Sequence, residues 1–248
     1  MAGCAVLVTG ASSGIGAATA LDLARGGASL ALVARSAEKL EEVTAGVRAS
    51  GGEALALPAD LSDTERARQV VAEAVDHFGR LDVLVNNAGY GARNPVEQSD
   101  PADWDRMVDL NLKAVLHTSH AALPHLLRSA EHGGRGVADL VNISSVAGRV
   151  ARKDNSVYSA TKHAVGAFSE ALRQEVTGRN VRVGLVEPGI TVTGMTADNG
   201  FGTGVAQGMP QESWLHAEDI ARAVTFMITQ PAHAAVNEIT VRPTAQER

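Results

Sequence analysis

The 248-residue chain lacks the features of several other protein classes. Its one cysteine, Cys4, excludes an intrachain disulfide and favours a reducing compartment. No stretch approaches the roughly 18 consecutive apolar residues of a membrane-spanning helix, and no signal-peptide pattern precedes residue 5. The net charge is −6, so the chain also lacks the excess of positive charge that nucleic acids or membrane surfaces attract. We therefore expect a cytoplasmic protein with neither a nucleic acid nor a membrane as partner.

Aromatic residues make up only 3% of the chain, so the core must consist of Ala, Val, Leu and Ile. Short unbroken apolar runs, typical of strands buried on both faces, recur at 5–9, 28–34, 53–57, 82–86, 137–143, 181–187 and 238–241. Segments rich in Ala and Leu, long enough for crossover helices, lie between them at 14–25, 37–49, 63–78, 101–129, 157–177 and 217–229. This alternation predicts one α/β domain over residues 1–248, a Rossmann fold with a doubly wound, seven-stranded parallel sheet and helices on both faces.

Two Gly-rich segments interrupt the alternation, a polar one at 129–136 and a longer, nearly uncharged one at 193–211. Ligands of such sheets bind beyond the carboxyl ends of the strands. A segment after the sixth strand is therefore well placed to close over a substrate. We interpret residues 193–213 as a substrate-binding lid, with an ordinary surface loop as the alternative.

The first strand runs directly into the sequence TGASSGIG at residues 9–16. Glycines there allow a sharp turn and a close approach of backbone N–H groups to a phosphate. The helix that follows offers its positive N-terminal end to a pyrophosphate. A glycine cluster is weak evidence on its own, but this position between strand and helix indicates a dinucleotide site.

The end of the second strand indicates which dinucleotide binds. A free ribose 2′-hydroxyl is usually held by an acidic side chain at this place. Here the position is Ala34, and the next residues, Arg35 and Ser36, can hydrogen-bond a 2′-phosphate. The sequence therefore predicts NADP(H), unless Arg35 only covers the strand end.

Two further strand ends carry polar residues that suit a dinucleotide. Asp60 can accept a hydrogen bond from an adenine amino group, or it can cap the next helix, although Ser62 and Asp63 are better placed for that. The sequence NNAG at residues 86–89 closes the fourth strand. Its asparagines suit bracing of the backbone and contact with a ribose.

The candidate catalytic residues begin with Tyr158 and Lys162, which share a helix face because they lie four apart. A nearby ammonium lowers a phenol pKa, and bringing it from ~10 to near 7 takes roughly 4 kcal/mol. Ser144 and Ser145 follow the fifth strand, and either can hold a substrate oxygen beside Tyr158. Asn111 lies in a predicted helix interior, where it either holds a water linked to Lys162 or marks a helix irregularity.

Together these motifs resemble those of the short-chain dehydrogenase/reductase family over essentially the whole chain: TGxxxGxG, NNAG, the Asn–Ser–Tyr–Lys tetrad, and Pro-Gly after the sixth strand. The resemblance implies the catalytic tetrad Asn111, Ser145, Tyr158 and Lys162, and the family's spacing selects Ser145 over Ser144. It implies cofactor contacts at Gly10, Ser13, Gly14, Ile15, Arg35, Ser36, Asp60, Leu61, Asn87, Ala88, Gly89, Tyr158, Lys162, Pro188, Gly189, Thr191 and Thr193. It also implies a homotetramer or homodimer that pairs through the helices at about 101–129 and 157–177.

Within the family, some stretches look like actinobacterial reductases of the clavulanic acid dehydrogenase type, which reduce an aldehyde. These stretches are 121–129, 147–150, 168–175 and 241–244. The chain departs from that type at 129–136 and throughout 193–211, where the substrate would be selected. The subtype therefore does not name the substrate.

The function implied is an NADPH-dependent carbonyl reductase that transfers a hydride to a keto or aldehyde group of a small organic or secondary-metabolite molecule, with Tyr158 as the general acid. One alternative is an NAD-dependent alcohol dehydrogenase working in the oxidative direction. Another is a non-catalytic nucleotide-sensing regulator, against which the intact tetrad argues. Arg149, Arg152 and Lys153 either meet an acidic substrate or form a solvated turn or a subunit contact. No histidine spacing suggests a metal.

Overall fold

The computed structural model of the chain describes residues 1–197 and 208–247. Its strands are β1 (Ala5–Thr9), β2 (Ser29–Ala34), β3 (Ala54–Pro58), β4 (Val83–Asn86), β5 (Ala138–Ile143), β6 (Val181–Pro188) and β7 (Glu238–Val241). They form one parallel sheet in the order β3-β2-β1-β4-β5-β6-β7. The predicted doubly wound, seven-stranded sheet is confirmed.

The helices lie between the strands, close to their predicted positions. They are α1 (Gly14–Arg25), α2 (Ala37–Ala49), α3 (Thr64–Phe78), α4 (Pro101–Val108), α5 (Ala114–His132), α6 (Ser156–Val176), the short α7 (Gly194–Ala197) and α8 (Ala217–Ile228). None of the described helices is long and apolar enough to cross a membrane.

Two apolar cores lie on opposite faces of the sheet. Because side chains alternate along a strand, Val6 and Val8 enter one core and Leu7 enters the other. The first core is covered by residues of α1, α2 and α8, and the second by residues of α3, α5 and α6. Burial on both faces explains why the strands read as unbroken apolar runs.

The predicted helix at 101–129 differs from the structure in two respects. It continues to His132, so the segment predicted as a loop at 129–136 begins as helix, and it is interrupted once. A single π-helical turn, Asp109–Lys113, separates α4 from α5. Such turns are frequent at functional sites. Asn111 lies within the turn and is fully buried.

The strand order reverses between β1 and β4, which are neighbours in the sheet. The chain leaves β1 at Gly10 and leaves β4 at Asn87, so both connections start at the same edge. This is the place where doubly wound sheets bind ligands.

Candidate active site

A cleft of about 1540 Å³ lies at this edge of the sheet. Residues that follow six of the strands line it, namely Gly10, Arg35, Ala59, Asn87, Ser144 and Gly189. Its volume exceeds the range of about 300–1000 Å³ usual for one small ligand. The cleft therefore has room for a dinucleotide and a second small molecule.

Most residues predicted from the sequence come together in this cleft. The predicted residues that line it are Gly10, Ser13, Gly14, Ile15, Arg35, Ser36, Leu61, Asn87, Ala88, Gly89, Ser145, Tyr158, Lys162, Pro188, Gly189, Thr191 and Thr193. Asp60 and Asn111 are the two that do not line it.

The glycine turn leaves little space for side chains. Gly10 and Gly14 have φ values of +67° and +53°, a conformation that favours glycine. A Cβ on Gly10 would lie 2.8 Å from Asn87 Nδ2 and 2.9 Å from Ala88 Cα. Ser13 at the N-cap of α1 makes no side-chain cap, and the first turn of α1 holds no acidic residue. The amino end of α1 therefore keeps both its N–H groups and its positive dipole for an anion.

Thr9 holds the glycine turn against the end of β4. Its Oγ1 accepts hydrogen bonds from the backbone N–H groups of Asn87 (2.9 Å) and Ala88 (3.0 Å). The side chain of Asn87 adds a further bond, in which Nδ2 donates to the Thr9 carbonyl oxygen at 2.9 Å. Sequence reasoning gave Thr9 no role beyond its place in the motif, because its partners lie 78 residues further along the chain.

The corner beyond β2 carries two basic side chains. Ala34 is buried at the strand end, while Arg35 and Lys39 line the cleft. Ser36 caps α2 by accepting a hydrogen bond from the Lys39 backbone N–H at 3.4 Å. Lys39 was missed in the sequence, although its place in the first turn of α2 is the signal that would have found it.

Asp60 lies beside this corner, outside the lining of the cleft. Its Oδ1 accepts hydrogen bonds from the Ser62 backbone N–H (3.0 Å) and hydroxyl (2.8 Å). Partial burial raises the pKa of Asp60, but these two hydrogen bonds, together with the positive charges of Arg35 and Arg106, outweigh it and leave the pKa below its usual value. Asp63 caps α3, so the capping role considered for Asp60 belongs to Asp63. The contact of Asp60 with adenine stays a prediction.

Tyr158 and Lys162 are both buried on α6, with Lys162 Nζ 5.7 Å from the centre of the Tyr158 ring. Lys162 Nζ donates to the Ile143 carbonyl oxygen at 2.9 Å. Burial raises the pKa of Tyr158 to about 12, and a hydrogen bond with Ser145 only partly opposes it. Burial also lowers the pKa of Lys162 to about 8. The expected lowering of the tyrosine pKa is therefore not found in the chain by itself, because loss of water dominates.

The two candidate serines have different partners. Ser144 is buried, and its Oγ donates to the Lys162 carbonyl oxygen at 3.2 Å. Ser145 lines the cleft, and its Oγ accepts from the Ala147 backbone N–H at 3.1 Å while sharing a hydrogen bond with Tyr158. Ser145 is thus the serine whose side chain adjoins the tyrosine hydroxyl.

Asn111 fastens the loop after β4 to the π-helical turn. Its Oδ1 accepts from the Tyr90 backbone N–H at 2.7 Å, and its Nδ2 donates to the Tyr90 carbonyl oxygen at 2.9 Å. Nδ2 also donates to Thr161 Oγ1 at 3.2 Å, next to Lys162 in the chain. A helix irregularity is therefore present, and the irregular turn places Asn111 between the loop and α6.

Arg149 lies between Ser145 and Tyr158 and is already paired. It binds Glu187, a buried carboxylate on β6, at 2.6 Å, and it also pairs with Glu238 on β7. These partners raise the pKa of Arg149. Arg149 thus anchors the loop between β5 and α6, whereas Arg152 and Lys153 line the cleft.

The described ends of the predicted lid pack beside the site. Met195 packs against a small apolar cluster that contains Tyr158. Trp214 is buried against Ile190, and its Nε1 donates to the Met209 carbonyl oxygen at 3.3 Å. The middle of the predicted lid, 198–207, lies outside the described residues.

Comparisons with known proteins find similarity over nearly the whole chain. A family model for short chain dehydrogenases matches residues 4–202. An uncharacterised oxidoreductase of Staphylococcus epidermidis is 36% identical over 237 residues, 96% of each chain. The structure of a short chain dehydrogenase from Burkholderia cenocepacia in complex with NADP has a TM-score of 0.87 at 33% identity and covers 98% of this chain and 97% of that one. The structure of a 3-ketoacyl-(acyl-carrier-protein) reductase from Brucella melitensis complexed with NADH has a TM-score of 0.87 at 28% identity, with 98% of each chain covered.

Proposed function

We propose that this chain, which belongs to the short-chain dehydrogenase family of oxidoreductases, uses NADPH to reduce the carbonyl group of a ketone or an aldehyde. The observation that carries the proposal is the hydrogen bond between Ser145 and Tyr158 in a cleft that also contains the glycine turn. The resemblance to the clavulanic acid dehydrogenase type supports including aldehydes of secondary-metabolite size.

The residues of the cleft fit a dinucleotide with a 2′-phosphate. The uncapped amino end of α1 suits the pyrophosphate. At the far corner, Arg35 and Lys39 are cationic donors, and no carboxylate stands at Ala34 to hold a free 2′-hydroxyl. Since one structural neighbour is solved with NADP and another with NADH, the fold alone does not select the cofactor. The donor set of this corner supports NADP(H).

When bound, NADPH supplies the hydride for the carbonyl carbon. The side chains of Ser145 and Tyr158 converge, so a carbonyl oxygen between them accepts a hydrogen bond from each. Tyr158 then transfers its phenolic proton to that oxygen as the carbonyl becomes an alcohol. Lys162 stabilises the resulting phenolate through its nearby ammonium group.

In the cofactor-free chain, Tyr158 is in the protonation state that reduction needs. A phenol with a pKa of about 12 carries its proton at neutral pH and can donate it. Oxidation of an alcohol needs the phenolate instead, which burial disfavours. The oxidative alternative uses the same residues in reverse and is favoured at higher pH.

For Asn111 we propose a positioning role, because its hydrogen bonds with Tyr90 and Thr161 tie the loop after β4 to α6. Its link to a water near Lys162 stays a prediction. The contact of Met195 with the Tyr158 cluster supports the assignment of residues 193–213 as a substrate lid. The homotetrameric or homodimeric assembly and the cytoplasmic location also stay predictions.

The test measures NADPH consumption with a panel of aldehydes, diketones, quinones and polyketide-like ketones. We expect turnover of at least one of them, and we expect Tyr158→Phe to lower kcat by about 10²–10⁴-fold because it removes the proton donor. The variant should still bind NADPH, as measured by nucleotide fluorescence. Turnover that persists unchanged in Tyr158→Phe would refute the proposed acid. Failure of the wild-type protein to bind NADPH would refute the cofactor assignment.

A further inference from the structure

Asn155 is a polar side chain of the cleft to which neither the fold nor the proposed reaction assigns a task. It lines the cleft at the N-cap of α6 and is only 6% exposed. Tyr158 follows three residues later, in the first turn of α6, and lines the same cleft. Asn155 therefore adjoins the place where the carbonyl group is reduced.

The side chain of Asn155 does not cap α6, although it stands at the N-cap position. An N-cap asparagine normally accepts a hydrogen bond from the N–H of the second or third helical residue. Asp63 and Asp100 do this for α3 and α4, with distances of 2.9 Å to the first donor in each case. Asn155 makes no such bond, and its Oδ1 is buried with no partner among the described residues. A buried acceptor without a donor is unfavourable and calls for an explanation.

The backbone before Asn155 is held in an unusual conformation. Asp154 has a φ of +64°, in the left-handed region that favours glycine. An ion pair of 3.5 Å with Arg93, on the loop after β4, holds Asp154 in place. Asp154 lies in the loop between β5 and α6, and Arg149 anchors the other end of that loop through Glu187. Strained backbone of this kind, fixed from outside, clusters at ligand-binding sites.

We propose that Asn155 Oδ1 accepts a hydrogen bond from a hydroxyl group of the substrate, so that the enzyme prefers hydroxylated ketones or aldehydes with the hydroxyl close to the carbonyl. The inference rests on the proposed function and adds the substrate class. On one side of Tyr158, the side chains of Tyr90, Ala147 and Met195 form an apolar wall that packs in one cluster with it. A polar group in such a wall rejects an analogue that lacks the matching donor much more strongly than an apolar pocket rejects an extra group.

The test compares matched substrates, such as 1-hydroxy-2-butanone and 2-butanone, on the wild-type protein and two variants. We expect the wild type to prefer the hydroxylated ketone by about 10–100-fold in kcat/KM. Asn155→Ala should bring this ratio close to one, mainly by raising KM for the hydroxylated ketone. Asn155→Asp keeps an acceptor and should retain most of the preference. A ratio that is the same in the wild type and in Asn155→Ala would overturn the inference while leaving the reductase proposal intact.

A second measurement does not depend on turnover. Because Oδ1 has no partner among the described residues, Asn155→Ala should leave the melting temperature of the cofactor-free protein unchanged or raise it. The matched control is Asp63→Ala, which removes a cap that does accept hydrogen bonds and should lower the melting temperature by about 2–4 °C. An equal fall in Asn155→Ala would mean that Asn155 is structural. This result would overturn the inference even if no carbonyl compound were reduced.

Discussion

The buried lysine makes the stability of the protein depend on pH in a way that can be measured. Burial lowers the pKa of Lys162 from its ordinary 10.5 to about 8. Below pH 8, both the folded and the unfolded chain hold the proton on this group. Between pH 8 and 10.5, the unfolded chain holds it and the folded chain does not. The contribution of Lys162 to the free energy of unfolding therefore rises with pH across this window.

The magnitude follows from the pKa difference. A pKa that is lower by about 2.5, at roughly 1.4 kcal/mol per unit, corresponds to about 3.5 kcal/mol in total. We expect the free energy of unfolding of the wild type, minus that of Lys162→Met, to rise by about 3 kcal/mol from pH 7.5 to 10.5, where the group in the unfolded chain is half titrated. Tyr158, whose pKa burial raises from 10 to about 12, has the opposite effect above pH 10. That effect is common to both proteins, so it cancels to first order in the difference.

The assay is urea unfolding of the cofactor-free proteins, followed by circular dichroism at several pH values and one protein concentration. Lys113→Met is the matched control, because Lys113 is exposed and its hydrogen bond with Asp109 raises its pKa above the ordinary value. Lys113 therefore keeps its proton across this pH range. The difference in free energy of unfolding between the wild type and Lys113→Met should stay constant between pH 8 and 10. A Lys162→Met curve that is equally flat would refute the account of Lys162 as a desolvated ammonium.

Two further predictions concern the cofactor corner and the glycine turn. Arg35→Glu should weaken NADPH binding by about 10–100-fold and affect NADH much less, as measured by calorimetry, because it removes a charge-assisted donor; equal losses for both nucleotides would refute the role of Arg35. Gly16→Ala should lower the free energy of unfolding by about 1–3 kcal/mol, because the added Cβ would overlap the Gly10 carbonyl oxygen. Its control, Gly166→Ala, meets only Leu185 Cδ2 at 3.8 Å within α6 and should raise that free energy by about 0.5–1 kcal/mol. Urea unfolding distinguishes the two glycine variants, and similar losses in both would contradict the steric argument.

Much of the architecture is determined by local sequence patterns. The unbroken apolar runs predicted every strand to within a residue or so, because burial on both faces of a sheet demands apolar side chains at successive positions. The glycine turn was predictable because a strand followed at once by a helix needs positive φ at Gly10 and Gly14. The spacing of Tyr158 and Lys162 likewise determined that they share one face of α6.

The partners of polar side chains depended on tertiary contacts. The residues alone left Ser144 and Ser145 open, and they differ in the fold because Ser144 bonds the carbonyl of Lys162, 18 residues away. The helix containing Asn111 was predicted without its π-helical turn, because the hydrogen bonds to Tyr90 connect residues 21 apart.

The pKa of Tyr158 and the lack of a described hydrogen-bond partner for Asn155 Oδ1 could not be predicted from the sequence either. The pKa of Tyr158 was expected to fall because the nearby Lys162 was recognisable in the sequence, whereas the burial that raises it was not. Similarly, an asparagine before a helix predicts a cap, and only the packed structure shows that the oxygen of Asn155 has no donor among the described residues. Local patterns determine which segments form strands, helices and tight turns, since these depend on neighbouring residues. Desolvation and hydrogen-bond partners depend on which distant segments pack together, so only the tertiary structure decides them.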